Sequence, residues 1–462
     1  MVLWLAILTF GAAWIGCSPS HESPPTASAT ASSTPAGRAE ADFTACNIAL
    51  APLGDTDPID QQIHRLQQQA RVSTNSIAAL DQLGWLLVAR ARDSFDPGYY
   101  KLAEQCALCM DARQPHAPEA LLLRGHALHS VHRFKEAETL ARELVTLRGS
   151  SPDYALLGDA LMEQGNLDEA TRAYQSMMDK KPGLEAYTRT AHMRWLRGDL
   201  SGAIAVMQMA VDASSPRQPE IAAWVHVGLA LYQLQAHNIQ DASHLLETAL
   251  VLRPNYAPAL AARGRLLLAE GNAEDAAESL RQAANLHPLI ETQWLLVEAL
   301  RATDQSEQAQ GVERQVIERG PLEDPRTLAL YLATTRQNVA AAVRLAEKEL
   351  DTRQDVFTWD AIAWTHRAAG QLEQAYTDSQ RAVAQGTQDA RLFLHAGAIA
   401  AESGRPAESK RWLEQAAATQ QMLFPSERRE LERQLDGLRS HVALRTPEHP
   451  GLATDASEGR SR

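Results

Sequence analysis

Alanines stand at near-constant spacing through most of this chain: Ala103, Ala137, Ala170, Ala203, Ala242, Ala276, Ala309, Ala342 and Ala375, followed by Ser409. The intervals are 34, 33, 33, 39, 34, 33, 33, 33 and 34 residues. A period of this size marks a stack of supersecondary units, each unable to fold alone. The copy around Ala170 shows what the unit is. Tyr154, Leu157, Gly158 and Leu161 fall on one face of a helix, and Gly165-Asn166 interrupts it. Leu167, Ala170, Tyr174 and Met177 then mark a second helix, which Pro182 stops. The copy around Ala276 repeats the layout with Leu260, Gly264, Leu267, Gly271, Leu280, Ala283 and Pro288. Each unit is a helical hairpin with one small residue on each helix, where two backbones can approach closely. One hairpin cannot bury its apolar face, so its neighbours must stack on it.

These residues resemble the tetratricopeptide repeat over roughly residues 76 to 420. The family's small residue on the first helix is matched by Gly125, Gly158, Ala191, Gly228, Gly264, Ala363 and Gly397. Its turn glycine is matched by Gly165, Gly198, Gly271, Gly370 and Gly404, and its helix-stopping proline by Pro182, Pro254 and Pro288. Val297 and Leu330 depart from the small residue. The Ala242 copy reads as having a longer turn, and the Ala342 copy a compressed one at Gln337-Asn338. The resemblance implies an all-α fold, a right-handed α-solenoid of about ten hairpins.

The pattern divides the chain into an array over 57–420, a capping helix over 421–440 and a disordered tail over 441–462. A helix from Ile59 to Arg71 is expected to cap the first hairpin. Glu313 stands where most copies are apolar, so the seventh and eighth hairpins are expected to pack less tightly. The net charge of -13, with no basic stripe, argues against nucleic acid, which needs clustered Lys and Arg. Four cysteines in 462 residues are too few for a disulfide scaffold.

Ahead of the array, Val2 to Ile15 is an apolar run ending in Gly16-Cys17. It is too short to span a bilayer, which takes about 20 residues, and suits the core of a signal peptide over 1–16. Residues 17–56 open rich in Ser, Pro, Thr and Ala, as a flexible tether is. Signal, cysteine and tether together resemble a bacterial lipoprotein. That resemblance implies lipidation at Cys17 and attachment to a membrane of the cell envelope; a periplasmic or secreted protein is the alternative.

No catalytic constellation and no cofactor motif is present: there is no H-E-x-x-H, G-x-S-x-G, phosphate loop or dinucleotide fingerprint. An enzyme is therefore not expected. His126, His129 and His132 could bring imidazoles to a metal ion, or they could simply face water or a partner on a solvated helix; no metal ligand is assigned. Cys106-x-x-Cys109 lies inside a predicted helix with no second such pair, which suits buried apolar thiols. A bridge from Cys46 to one of them is the other possibility.

In a stack of hairpins the first helices line the concave side. Residues just off their packing stripe then point into a groove: His126, His129, Asp159, Met162, His192, Trp195, Tyr232, Arg265, Trp294, Arg301, Trp364 and Arg367. Aromatic and Arg side chains are common anchors of protein interfaces. Trp195→Ala or Trp364→Ala is accordingly expected to weaken partner capture without changing helicity. Family members that grip acidic chaperone tails use a Lys and Asn cluster on these helices. Here the places hold Leu122 and His126, Ala155 and Asp159, Thr188 and His192, so that partner is not implied. The expected function is a protein-interaction scaffold that binds a protein or peptide segment in this groove. A metal-binding or enzymatic envelope protein using His126, His129 and His132, and a passive structural spacer of an envelope assembly complex, are the alternatives.

Overall fold

A computed structural model describes residues 44–53, 58–73, 77–94 and 96–443. The expected signal peptide, Cys17, the first part of the tether and the tail beyond residue 443 lie outside the described residues. The described chain is all helical. A short helix α1 (residues 44–49) and α2 (Pro58–Val72) precede a series of hairpins. The first five are α3 (Ala78–Ser94) with α4 (Gly98–Arg113), α5 (Pro118–Ser130) with α6 (Phe134–Leu147), α7 (Ser151–Glu163) with α8 (Leu167–Lys180), α9 (Leu184–Leu196) with α10 (Leu200–Asp212), and α11 (Pro219–Gln235) with α12 (Ile239–Leu252). Then come α13 (Ala257–Ala269) with α14 (Ala273–Leu286), α15 (Ile290–Ala302) with α16 (Ser306–Glu323), α17 (Pro325–Thr335) with α18 (Val339–Glu349), α19 (Val356–Ala368) with α20 (Leu372–Val383), and α21 (Ala390–Glu402) with α22 (Pro406–Ala418). A 3-10 turn, Gln420–Met422, leads into α23 (Pro425–Ala443). The fold is an α-solenoid.

The periodic alanines sit where second helices meet first helices, and each is at most 1% exposed, as is Ser409. The two helices of a hairpin differ in kind. In α8 only a stripe is buried: Leu167, Ala170, Ala173, Tyr174 and Met177. In α7 every residue from Ala155 to Glu163 is buried. A helix buried all round lies inside the assembly, so the first helices form its interior and the second helices its outer layer.

Each hairpin turn from α5 onward has three residues, and in all but the α17–α18 turn the middle one takes a left-handed conformation. Glycine does this at Gly165, Gly198, Gly271, Gly370 and Gly404; His132, His237 and Asp304 do it at φ of 63°, 63° and 58°. A β-carbon is disfavoured there. Among the described residues Asp304 finds no side-chain partner that would compensate. Asp304→Gly is therefore expected to stabilise the fold by about 1 kcal/mol, seen as a higher denaturation midpoint; an unchanged or lower midpoint contradicts the assignment.

Two expected irregularities fall elsewhere than predicted. The Ala242 copy has an ordinary turn, residues 236–238; its extra length lies in the linker 213–218 and in α11, which has 17 residues where α9 and α13 have 13. Pro219 at the first turn of α11 starts that helix early. The Ala342 copy also keeps a three-residue turn, but α17 is 11 residues long and both Arg336 and Asn338 are left-handed. Glu313, the polar intruder, is met by three donors: the Tyr331 hydroxyl, Gln337 Nε2 at 2.9 Å and Arg301 Nη2 at 2.8 Å.

The solenoid coils tightly enough to touch itself, with linkers resting on turns five hairpins earlier. Gln354 N donates to Glu163 O at 3.2 Å, joining the linker before α19 to the α7–α8 turn. Thr387 Oγ1 donates to Leu196 O at 2.7 Å, and Gln421 Nε2 to Gln235 O at 2.8 Å. Backbones meet so closely that a β-carbon on Gly165 would lie 2.4 Å from Gln354 O, and one on Gly198 2.5 Å from Gly386 O. These two glycines serve both the turn and the seam. Helix α23 then docks on the earlier coil through Ser426 N to Glu298 Oε2 at 3.1 Å.

Candidate functional site

The interior between the coils is filled by the side chains nominated for the groove. Ten of the twelve are buried: His126, His129, Asp159, Met162, His192, Trp195, Tyr232, Arg265, Trp294 and Trp364. Arg301 is exposed and pairs with Glu313; Arg367 is half-buried, lies 4.4 Å over the Trp364 ring and bonds Glu430. The expectation of an open trough is corrected here: the first helices do face inward, but the later coil covers them. Trp195 stacks on Phe357 of α19 at 6.0 Å and donates from Nε1 to Gln235 Oε1 at 2.9 Å. His192 stacks on Trp195 at 5.6 Å, and Trp195 faces Tyr232 at 6.4 Å. Trp294 meets Phe424 edge-on at 4.9 Å, while Arg265 lies over the same ring and donates to Met422 O at 3.0 Å. Trp364 stacks on His395 at 3.7 Å.

Charged residues outside the nominated set join Asp159 and Arg265 in holding this interior together. Arg189 grips Asp159 with both Nε and Nη2, at 2.8 and 2.7 Å, and the Tyr174 hydroxyl donates to the same carboxylate at 2.8 Å. Arg326 donates to Asp355 at 2.9 Å, and Arg265 to Glu291 at 3.1 Å. His395 Nδ1 lies 2.9 Å from Asp360, and Arg391 pairs with Glu427. Arg353 Nε faces Glu163 Oε2 at 3.1 Å without an aligned hydrogen bond.

That misalignment leaves Glu163 dominated by burial, which pushes its carboxyl up to about 7 against the pull of Arg353. The folded state therefore holds a proton that the unfolded chain releases near the ordinary Glu value. The Glu163 contribution to stability is complete below about pH 4.5, falls as pH rises to about 7, and is lost above it, an effect of roughly 3 kcal/mol. Glu163→Gln should gain stability over the native chain across that window and hold a constant lead above it. A pH-independent difference in denaturation midpoint refutes the assignment. Burial acts oppositely on His129 and His192, pushing each down to about 4, so they cost stability as pH falls below about 6.5.

His126 and His129 are packed among aromatic rings, His126 at 5.2 Å from Trp85 and His129 edge-on to Phe134 at 5.1 Å. His132 instead sits exposed at the α5–α6 turn, where its left-handed backbone explains its position. Among the described residues no group of three or more His, Cys, Asp or Glu side chains is arranged to hold a metal ion. Of the cysteines, Cys46 and Cys109 form a disulfide, and Cys106 is a buried free thiol whose burial pushes it up to about 12. The bridge ties α1, which belongs to the segment expected to be tether, onto α4.

Where the seam runs past the α7–α8 turn it leaves a cleft of about 330 Å³. Met162 and His192 from the nominated set reach it; Gln164, Asn166, Gln354, Asp355, Trp359, Arg381 and Gln385 do so unforeseen. The sequence carried one signal of closure that could have found them: first helices apolar on every face, such as Ala222 to Leu234, have no side left for solvent.

Comparison with known proteins gives the same unit. Residues 156–219 and 227–288 match the tetratricopeptide repeat family. No curated protein sequence matches the chain. Among solved structures it is similar to a human IFIT1 dimer with PPP-AAAA, at 11% identity and TM-score 0.45 over 80% of this chain and 96% of that one. It is also similar to yeast Tom70, at 13% identity and TM-score 0.36 over 84% and 97%. YrrB, described as a TPR protein with an unusual peptide-binding site, aligns at 14% identity and TM-score 0.30 over 43% and 97%. The tetratricopeptide match thus covers residues 156–219 and 227–288, which lie within a longer array of helical hairpins.

Proposed function

We propose that the chain is a non-enzymatic scaffold for protein partners, held by a lipid at Cys17 in a bacterial envelope, and that it takes a partner segment between its coils. The tetratricopeptide repeats support an interaction role. The Cys46–Cys109 bridge suits an oxidising compartment, as do the apolar run, Cys17 and the tether. One observation carries the groove: an interior rich in Trp, Tyr, Phe and Arg lies between coils five hairpins apart that close on each other through non-covalent contacts, polar along the seam and aromatic inside it. Arg197 to Gln385, Gln354 to Glu163 and His237 to Ala418 are among its polar contacts, beside Thr387 to Leu196 and Gln421 to Gln235. The polar bonds contribute about 0.5–1.5 kcal/mol each, and parting the coils leaves the helix–helix contacts within each hairpin intact. Parting exposes the first helices of the third to sixth hairpins.

The closure also favours a second reading, a structural spacer that binds only through its outer layer or ends. Bridging Arg197→Cys and Gln385→Cys with a short bis-maleimide separates the two. If the groove is used, affinity capture by the detergent-solubilised full chain falls in the bridged protein and returns in the unbridged variant. Capture that the bridge leaves unchanged overturns the groove reading in favour of the spacer.

A further inference from the structure

We propose that the seam cleft is a saccharide site, sized for a single uncharged pyranose ring. The cleft has an apolar wall, including Leu196 and Trp359, and a rim of carboxamides: Gln164, Asn166, Gln354 and Gln385. A carboxamide both donates and accepts, as a sugar hydroxyl does, so the rim matches a ligand that presents both functions at each position. The fold already uses one end of two of them. Gln164 Nε2 donates to Glu138 and to Ala160 O, leaving Oε1 to accept. Gln385 Oε1 accepts from Arg197, leaving Nε2 to donate. Among the described residues the side chains of Asn166 and Gln354 find no hydrogen-bond partner.

The charged groups at the cleft are committed elsewhere. Asp355 takes Arg326 and the Thr358 N–H, while Arg381 pairs with Asp378 and lies 4.4 Å over the Trp359 ring. An ionic ligand would therefore find no unbalanced charge. The volume corresponds to roughly ten waters, and the cleft lies between two closed seam contacts, Gln354 to Glu163 and Arg197 to Gln385. Both facts favour one ring over an extended peptide. Because the walls come from coils five hairpins apart, a bound sugar bridges them and stabilises the closed form.

The test is saturation-transfer NMR and thermal shift on the full chain with methyl β-glucoside, N-acetylglucosamine and a capped tri-alanine peptide. At least one sugar is expected to bind in the millimolar range and raise the melting temperature. Asn166→Ala with Gln354→Ala removes no bond of the fold, so it should keep the unliganded melting temperature and weaken sugar binding at least tenfold. Ala384→Trp, which fills the exposed mouth, should abolish binding. The proposal is overturned if neither sugar binds, if both variants bind as the native chain does, or if only the peptide binds.

Discussion

Arg189→Met is expected to destabilise the protein by about 3–5 kcal/mol, because it strands the Asp159 carboxylate in the interior. Asp159 is buried, and two of its three close donors come from that one guanidinium. The loss should appear as a lower denaturant midpoint in far-ultraviolet circular dichroism. The added substitution Asp159→Leu should recover more than half of it, since removing both charges removes the uncompensated one. If the single change is mild, the pair is solvated and the interior is wetter than its burial indicates. No recovery in the double variant would mean that Arg189 acts through packing.

Trp195→Ala should cost a similar amount, about 3–5 kcal/mol, through the cavity left by a fully buried indole. Its rings and its hydrogen bond reach three elements: Phe357 across the coil, Tyr232 and Gln235 on the next hairpin, and His192 on its own helix. Seam amides near Thr387, which bonds the neighbouring Leu196 carbonyl, should then exchange hydrogen faster than those of the distant α4. This differs from the outcome expected from sequence, in which helicity holds and only partner capture weakens. A full-strength fold in Trp195→Ala would return the residue to the role of a surface anchor.

Much of the unit was legible because its signals are local. Glycine or asparagine after an apolar stripe ends the first helix. The buried alanine fixes where the second helix crosses, and the capping helices follow from their own amphipathic pattern. The turns at His132, His237 and Asp304 were harder to read because a glycine conformation was filled by another residue. The interior charges were missed for a related reason. Arg189, Arg326 and Arg391 lie on first helices like any exposed arginine, and only a carboxylate from a neighbouring element, Asp159, Asp355 or Glu427, makes burial tolerable.

The sequence by itself determined the hairpin, its count and which helix faces inward, since those depend on spacings within about one repeat. The tertiary structure alone decided how sharply the stack turns. Curvature is the sum of small rotations at each hairpin interface, set by contacts such as Gly125 against Leu156. No single copy displays that sum, yet it brings Gln354 to Glu163 and Phe357 to Trp195. It thereby turns a predicted open trough into a closed interior with a cleft along its seam.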